Sequence, residues 1–238
     1  MTTAELVVFD FDGTLAHRPG LWSKCLVDSL DTTRAGHGIA VEDLRPHLRS
    51  GFPWHRPEDV HPELNDPEAW WDAINIIVTD AYAAVGVTAD DELRRAVRDR
   101  YCDPELFELY PDTIPALERL AASGVRMTIL SNHVPELASI VTHHDLDRYV
   151  DDVITSARIG VEKPHPKSFR IALGAIRPER AWMIGDNLVA DIQGAEAAGM
   201  NSVFVRHPDS GGCDLLCAVR TVLSHSGDPL ITGEQSSR

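Results

Sequence analysis

Lysine is scarce in this chain: of its 22 basic residues, only Lys24, Lys163 and Lys167 are lysines. Acidic residues number 37, so the formal net charge is −15. A surface of that sign repels phosphate backbones, which excludes nucleic acid as a default partner. A small anion is still an admissible substrate, provided the site supplies its own positive charge. Long apolar runs are missing too, and none approaches the roughly 20 residues that span a bilayer. The opening MTTAELVVFD has no basic segment ahead of a long apolar one, so no secretory signal is expected. Cysteine is sparse: Cys25, Cys102, Cys213 and Cys217 form no CxxC pair. That usage reads as four reduced thiols in a cytoplasmic protein with no membrane partner.

What is present is enough for a folded core. The chain has 238 residues, 43% of them hydrophobic, which fits one large domain or a core domain carrying an insert. Five short apolar, β-branched runs predict strands at Leu6–Phe9, Arg126–Leu130, Asp152–Thr155, Ala181–Ile184 and Ser202–Val205. Helical patterns at Ile114–Ala122, Glu136–Val141, Lys167–Leu173 and Val189–Ala198 alternate with the later strands. Such alternation predicts an α/β fold with a doubly wound parallel sheet. Ligands of such sheets bind outside the carboxyl ends of the strands.

Residues 16 to 105 break the alternation. Their periodicity is helical, over Leu21–Thr33, Val41–Arg49, Pro67–Val85 and Asp90–Tyr101. The stretch SGFPWHRPEDVHPEL interrupts that pattern and predicts a loop in a helical insert. The polar stretch from Ser226 onward predicts a frayed end.

Four sites at predicted strand ends carry the chemistry. LVVFDFDGTL ends the first strand with Asp10 and Asp12 on alternate residues. An Asx turn explains one carboxylate. A calcium loop of the EF-hand kind fails, because its twelfth position is Leu21 and not glutamate. The pair by itself leaves the reading open. TILSNHVPE places Ser131 and Asn132 where a strand gives way to a helix, a position that caps a helix and also attracts anions. GVEKPHPKSF places Lys163 in a loop, and MIGDNLVADIQGA ends a strand with Asp186 and sets Asp191 in the helix beyond. Each alone is a cap or a surface residue. Together they bring carboxylates able to hold Mg²⁺ and cations able to hold phosphate to one sheet edge, which is what phosphoryl transfer requires.

In this order DFDGT, LSN, EKP and GDNLVAD resemble the haloacid dehalogenase (HAD) superfamily. The resemblance is to its phosphoglycolate phosphatase-like branch, whose helical cap is inserted after strand one. It implies a core of residues 1–15 and 106–238 and a cap of residues 16–105. It also implies that Asp10 is the nucleophile forming an aspartyl-phosphate, and that Asp12 serves first as acid and then as base. Mg²⁺ would be held by Asp10, the Asp12 carbonyl and Asp186, with Asp191 nearby. Ser131, Asn132 and Lys163 would bind phosphate, and Thr14 would support the loop.

Within the superfamily, dehalogenases and phosphonate-cleaving members lack the acid at the position of Asp12. The latter use a cap lysine, and the only lysine in this insert is Lys24, inside a predicted helix. The resemblance therefore implies a phosphatase acting on a small phosphorylated metabolite, such as a phosphosugar or phosphoglycolate-like acid, as a monomer or homodimer. A phosphomutase, a nucleotidase and a catalytically silent binding scaffold are the alternatives. Many relatives have aspartate where this chain has His165, which reads as surface variation. For substrate choice the candidates are Trp54, His55 and Arg56 in the insert loop, against the plainer reading of a turn that packs Trp54 inward. Trp70 and Trp71, inside a helical run, read as core of the insert.

Overall fold

The computed structural model describes residues 3–225, so the polar stretch from Ser226 lies outside the described residues. Its strands are β1 (Leu6–Phe9), β2 (Ala16–His17), β3 (Glu108–Leu109), β4 (Arg126–Ser131), β5 (Asp152–Thr155), β6 (Ala181–Gly185) and β7 (Asn201–Phe204). Five of them form one parallel sheet in the order β5-β4-β1-β6-β7. The chain winds outward from β1 in both directions. The switch point of the topology is therefore the carboxyl end of β1, where such sheets bind ligands.

Alternation along each strand builds two cores. Val7 and Phe9 of β1 face one side, with Met127, Ile129, Trp182 and Ile184 from its neighbours. Leu6 and Val8 face the other, with Leu130, Ala181 and Met183. Helices cover both faces, which is why these strands read as unbroken apolar runs. Phe9 is fully buried, and its truncation to alanine would cost about 3–5 kcal/mol.

The intervening segment is helical, with α1 (Leu21–Thr33), α2 (Val41–Leu44), α3 (Pro67–Ala84) and α4 (Asp91–Cys102). Asp66 caps α3 by accepting from the Glu68 and Ala69 N–H groups, and Pro67 fills the first position. The buried residues Trp70, Ile74, Val78 and Ala81 of α3 recur at helical spacing. They share a separate core with Trp22, Leu26, Phe52 and Leu93. The expected helix Val41–Arg49 divides into α2 and a 3-10 turn over Arg45–Leu48, because Pro46 lacks the N–H an α-helix would use.

The two chain crossings between sheet and insert are tied together: Ala16 pairs with Leu109 and His17 with Glu108. Four further contacts hold the insert on the sheet. The His61 N–H donates to the Gly160 carbonyl at 2.7 Å, and Val60 bridges Val161. Glu136, just beyond β4, accepts from the Trp71 indole at 3.0 Å and from Arg98 Nη2 at 3.0 Å.

One expectation about cysteine is corrected. Cys213 and Cys217 are joined in a disulfide, with their Cα atoms 5.3 Å apart, so only Cys25 and Cys102 are free thiols. Cys213 lies two residues before the helix Leu215–His225 and Cys217 in its first turn. No helix among the described residues is long and apolar enough to cross a membrane.

Candidate active site

The cleft above β1 is a cavity of about 560 Å³ lined by both the sheet edge and the insert. Asp10 opens it from the end of β1, where its own N–H donates to the Ile184 carbonyl at 3.0 Å. Asp12, Ser131, Asn132, Lys163, Asp186 and Asp191 also line it. The four sequence motifs thus converge on one point, as the strand order requires.

Lys163 organises the floor. Its Nζ donates to Asp10 Oδ1 at 2.8 Å and to Asp191 Oδ1 at 2.5 Å, with all three side chains buried. Burial by itself would pull this amine down, but the Asp10 and Asp191 charges outweigh it and hold Lys163 well above the usual lysine range. Asn132 clasps the lysine's backbone: its amide donates to the Lys163 carbonyl at 3.0 Å and accepts from the Lys163 N–H at 2.7 Å. Asn132 therefore places the lysine as well as facing the cavity.

Asp186, Asp191 and Asp10 each bring a carboxylate oxygen within 4.8 Å of the others. Burial, then the Asp10 and Asp191 charges, push the Asp186 carboxyl above the ordinary range. Burial, and then Asp10, push Asp191 up too, against the pull of Lys163. Carboxylates crowded this closely carry unbalanced negative charge, and their donor set is all oxygen. Both features fit a hard divalent cation such as Mg²⁺. Gly13, at φ 84°, makes room for the cluster: a Cβ there would lie 2.2 Å from Asp186 Oδ2. Thr14 is fully buried and donates to Asp186 Oδ1 at 3.2 Å. It braces a carboxylate and does not line the cavity. Arg206 Nε donates to the Thr14 carbonyl at 2.8 Å and so steadies the same turn.

Asp191 owes its place to an unexpected helix. Residues Leu188–Gln193 are π-helical and only Gly194–Ala197 are α-helical, where one α-helix was expected. The widened turn lets Asp191 Oδ2 accept from the Asn187 N–H at 2.9 Å while Oδ1 receives Lys163. His165 is also more than surface variation: its Nδ1 accepts from the Lys167 N–H at 3.1 Å and caps the helix Pro166–Leu173.

His133 is the site residue that sequence reasoning missed. It is 3% exposed, and its Nε2 lies 3.3 Å from Asp12 Oδ2. That is ion-pair distance without hydrogen-bond geometry, and neither ring nitrogen nor Asp12 Oδ1 has a hydrogen-bond partner. The motif offered one signal, a histidine directly after LSN.

The insert loop divides. Trp54 lines the cavity and stacks on Phe52 with centroids 4.4 Å apart. His55 and Arg56 are outside the lining; the Arg56 side chain is 68% exposed and pairs with Asp59 at 3.3 Å. Lys24 is likewise outside the lining and pairs with Asp28 at 2.8 Å. Trp70 and Trp71 are buried in the insert's core.

Residues 4–199 match the haloacid dehalogenase-like hydrolase family. The chain belongs to that family. It is 35% identical over 227 residues to the glyceraldehyde 3-phosphate phosphatase of Pyrococcus furiosus, covering 90% of this chain and 86% of that protein. It is 32% identical over 126 residues to the phosphoserine phosphatase of Thermus thermophilus. That match covers 49% of this chain and 48% of the relative, so the chain spans about half the length of some curated relatives it matches. The crystal structure of a HAD phosphatase from Thermococcus onnurineus superposes with a TM-score of 0.58 at 26% identity, covering 87% of this chain and 86% of that one.

Proposed function

We infer that the chain is a Mg²⁺-dependent phosphatase that hydrolyses a small phosphorylated metabolite through an aspartyl-phosphate on Asp10. Residues 16–105 serve as its cap, on a core of residues 1–15 and 106–238. The observation that carries this reading is Asp10 at the switch point, held 2.8 Å from Lys163 with a second carboxyl, Asp12, two residues on. The names of the relatives support it.

In this reading an Asp10 carboxylate oxygen attacks phosphorus and the ester P–O bond breaks. Asp12 gives its proton to the departing alcohol oxygen. Asp12 then takes a proton from water, whose oxygen attacks the same phosphorus and frees Asp10 and inorganic phosphate. Lys163 screens Asp10 from the incoming anion, and Ser131 holds a phosphoryl oxygen. Asp10, the Asp12 carbonyl and Asp186 would hold Mg²⁺, with Asp191 behind them. When bound, Mg²⁺ supplies charge neutralisation at the phosphoryl group. A halide leaves without a proton, so an acid beside the nucleophile favours an oxygen leaving group over carbon–halogen cleavage.

The test is phosphate release from sugar, acid and nucleotide monophosphates with Mg²⁺, joined to trapping of the phosphoenzyme. Release with a trapped Asp10 adduct supports the reading. No release from any monoester would overturn it, and phosphoryl transfer to a second sugar hydroxyl would make the chain a mutase.

A further inference from the structure

The floor of the cavity is polar, but its mouth is not. Leu21, Trp22, Trp54, Tyr101, Val134 and Val189 form the walls above the carboxylates. Aromatic rings line up there: Tyr101 stacks on Trp22 at 3.8 Å, and Trp22 meets Phe52 at 5.1 Å. Leu21 is 51% and Val189 is 56% exposed, so apolar surface lies open to solvent beside these rings. Leu21 is also held at φ 44°, a conformation that a bulky residue adopts only when its surroundings impose it.

Positive charge is equally informative. Among the described residues, no arginine lines the cavity and Lys163 is its only lysine. That lysine already serves Asp10 and Asp191. A substrate with a second anionic group would have to bury it against apolar walls above several carboxylates, where the remaining basic side chain of the lining, His133, already faces Asp12 at 3.3 Å. An uncharged, apolar alcohol meets no such cost and gains from the ring-lined walls.

We propose that this site takes phosphate monoesters of uncharged, apolar alcohols of about the size of an aromatic ring, in preference to phosphorylated acids or bisphosphates. The inference rests on the phosphate-ester reading of the floor and narrows the metabolite class it names. Two non-hydrolysable probes separate the alternatives, benzylphosphonate and phosphonoacetate. Both present a phosphonate; one carries a ring and the other a carboxylate.

Calorimetric titration of the Mg²⁺-loaded protein should show benzylphosphonate binding at least roughly tenfold tighter, the worth of burying a ring face. Trp54→Ala should erase most of that preference. Val189→Lys, at an exposed position, should narrow it from the other side by drawing in phosphonoacetate. Equal or tighter binding of phosphonoacetate by the unmodified protein overturns the proposal, as does failure of benzylphosphonate to bind. Loss of phosphonoacetate binding in Arg56→Ala would then show that the loop arginine supplies the missing charge. Binding and turnover also fail separately. A protein that prefers benzylphosphonate but hydrolyses no monoester refutes the phosphatase reading and keeps this one. A working phosphatase that prefers the carboxylate probe does the reverse.

Discussion

His133 Nε2 faces Asp12 Oδ2 across 3.3 Å, enclosed by Phe11, Tyr101 and Phe107. The two side chains come from the segments that follow adjoining strands of the sheet, β1 and β4, and meet because those strands lie side by side. An acid that must deliver a proton along one direction needs its carboxyl held, and His133 is the nearest group able to hold it. Contacts of this kind are often long before substrate binds and tighten afterwards.

Replacing His133 with phenylalanine keeps the ring volume and removes both nitrogens. Phosphoenzyme formation from an alkyl phosphate should then slow by roughly tenfold or more. With p-nitrophenyl phosphate, whose leaving group departs without a proton, the loss should be much smaller. Rapid-quench measurement on the two substrates checks this. Equal loss on both would make His133 a packing residue.

Asp10→Asn should abolish steady turnover, because the amide cannot attack phosphorus, while circular dichroism stays unchanged. The Lys163 ammonium can still donate to the amide oxygen in that variant. Steady hydrolysis by the pure variant would falsify a covalent mechanism at Asp10.

The sheet was legible because strands buried on both faces spell continuous apolar runs, as in LVVF of β1 and MTIL of β4. Three motifs lay at the ends of such runs, so the convergence of Asp10, Ser131 and Asp186 followed from strand adjacency, whereas Lys163 arrives from the loop beyond the short helix Ser156–Ile159. What escaped depends on contacts distant in sequence. Ala16–His17 and Glu108–Leu109 are too short to register as strands, and only their mutual pairing defines them. The π-helix at Leu188–Gln193 shares its residue types with an α-helix; its widened turn accompanies the pull of Lys163 on Asp191, 28 residues away. Cys213 and Cys217 were misread because compartment arguments, and not geometry, decided that reading. Arg56 was attractive as a loop cation, but the 3-10 turn over Pro53–His55 leaves it paired with Asp59 at the surface.

Removing divalent metal with EDTA should abolish activity, and Mg²⁺ should restore it. Mg²⁺ should also raise the melting temperature, since a ligand that binds only the folded state stabilises it. Asp186→Asn should lose most of that shift. The raised carboxyls of Asp186 and Asp191 hold protons that the metal must displace, so Mg²⁺ affinity should strengthen as pH rises from about 5 to about 8. Affinity independent of pH would remove these two residues from the metal site.

Glu162 gives a pH signature separate from the metal. Burial pushes its carboxyl from 4.5 to about 7, partly offset by a Ser156 hydrogen bond and the Lys163 charge. Its Oε2 has no hydrogen-bond partner. The folded state therefore holds this proton more tightly than the unfolded state does. The resulting stability is complete below the unfolded value of 4.5 and is lost as pH rises towards about 7. The loss is on the order of 3 kcal/mol at most. Glu162→Gln removes the titration, so its stability relative to wild type should rise across that window. Urea denaturation at a series of pH values reads the difference. Parallel curves for the two proteins would show that Glu162 titrates normally.

Gly13 supplies the last prediction, because two independent demands fall on it. At φ 84° its backbone sits where a side chain is strained, at a cost of roughly 1–3 kcal/mol. A methyl group there would also approach Asp186 Oδ2 to 2.2 Å and Asp186 Cγ to 2.6 Å, closer than any real contact. The carboxylate would have to move. Asp186 is held by Thr14, so moving it breaks that 3.2 Å hydrogen bond and pulls an oxygen away from the metal cluster. Gly13→Ala should therefore do more than lower the melting temperature. It should weaken Mg²⁺ binding by roughly tenfold or more, as the loss of one ligating or supporting group does. Mg²⁺ titrations well below the melting point of the variant distinguish the two demands. A destabilised variant that binds Mg²⁺ normally would show that backbone conformation alone requires glycine. A weakened site in a folded protein would show that the missing side chain is what lets Asp186 face the cluster.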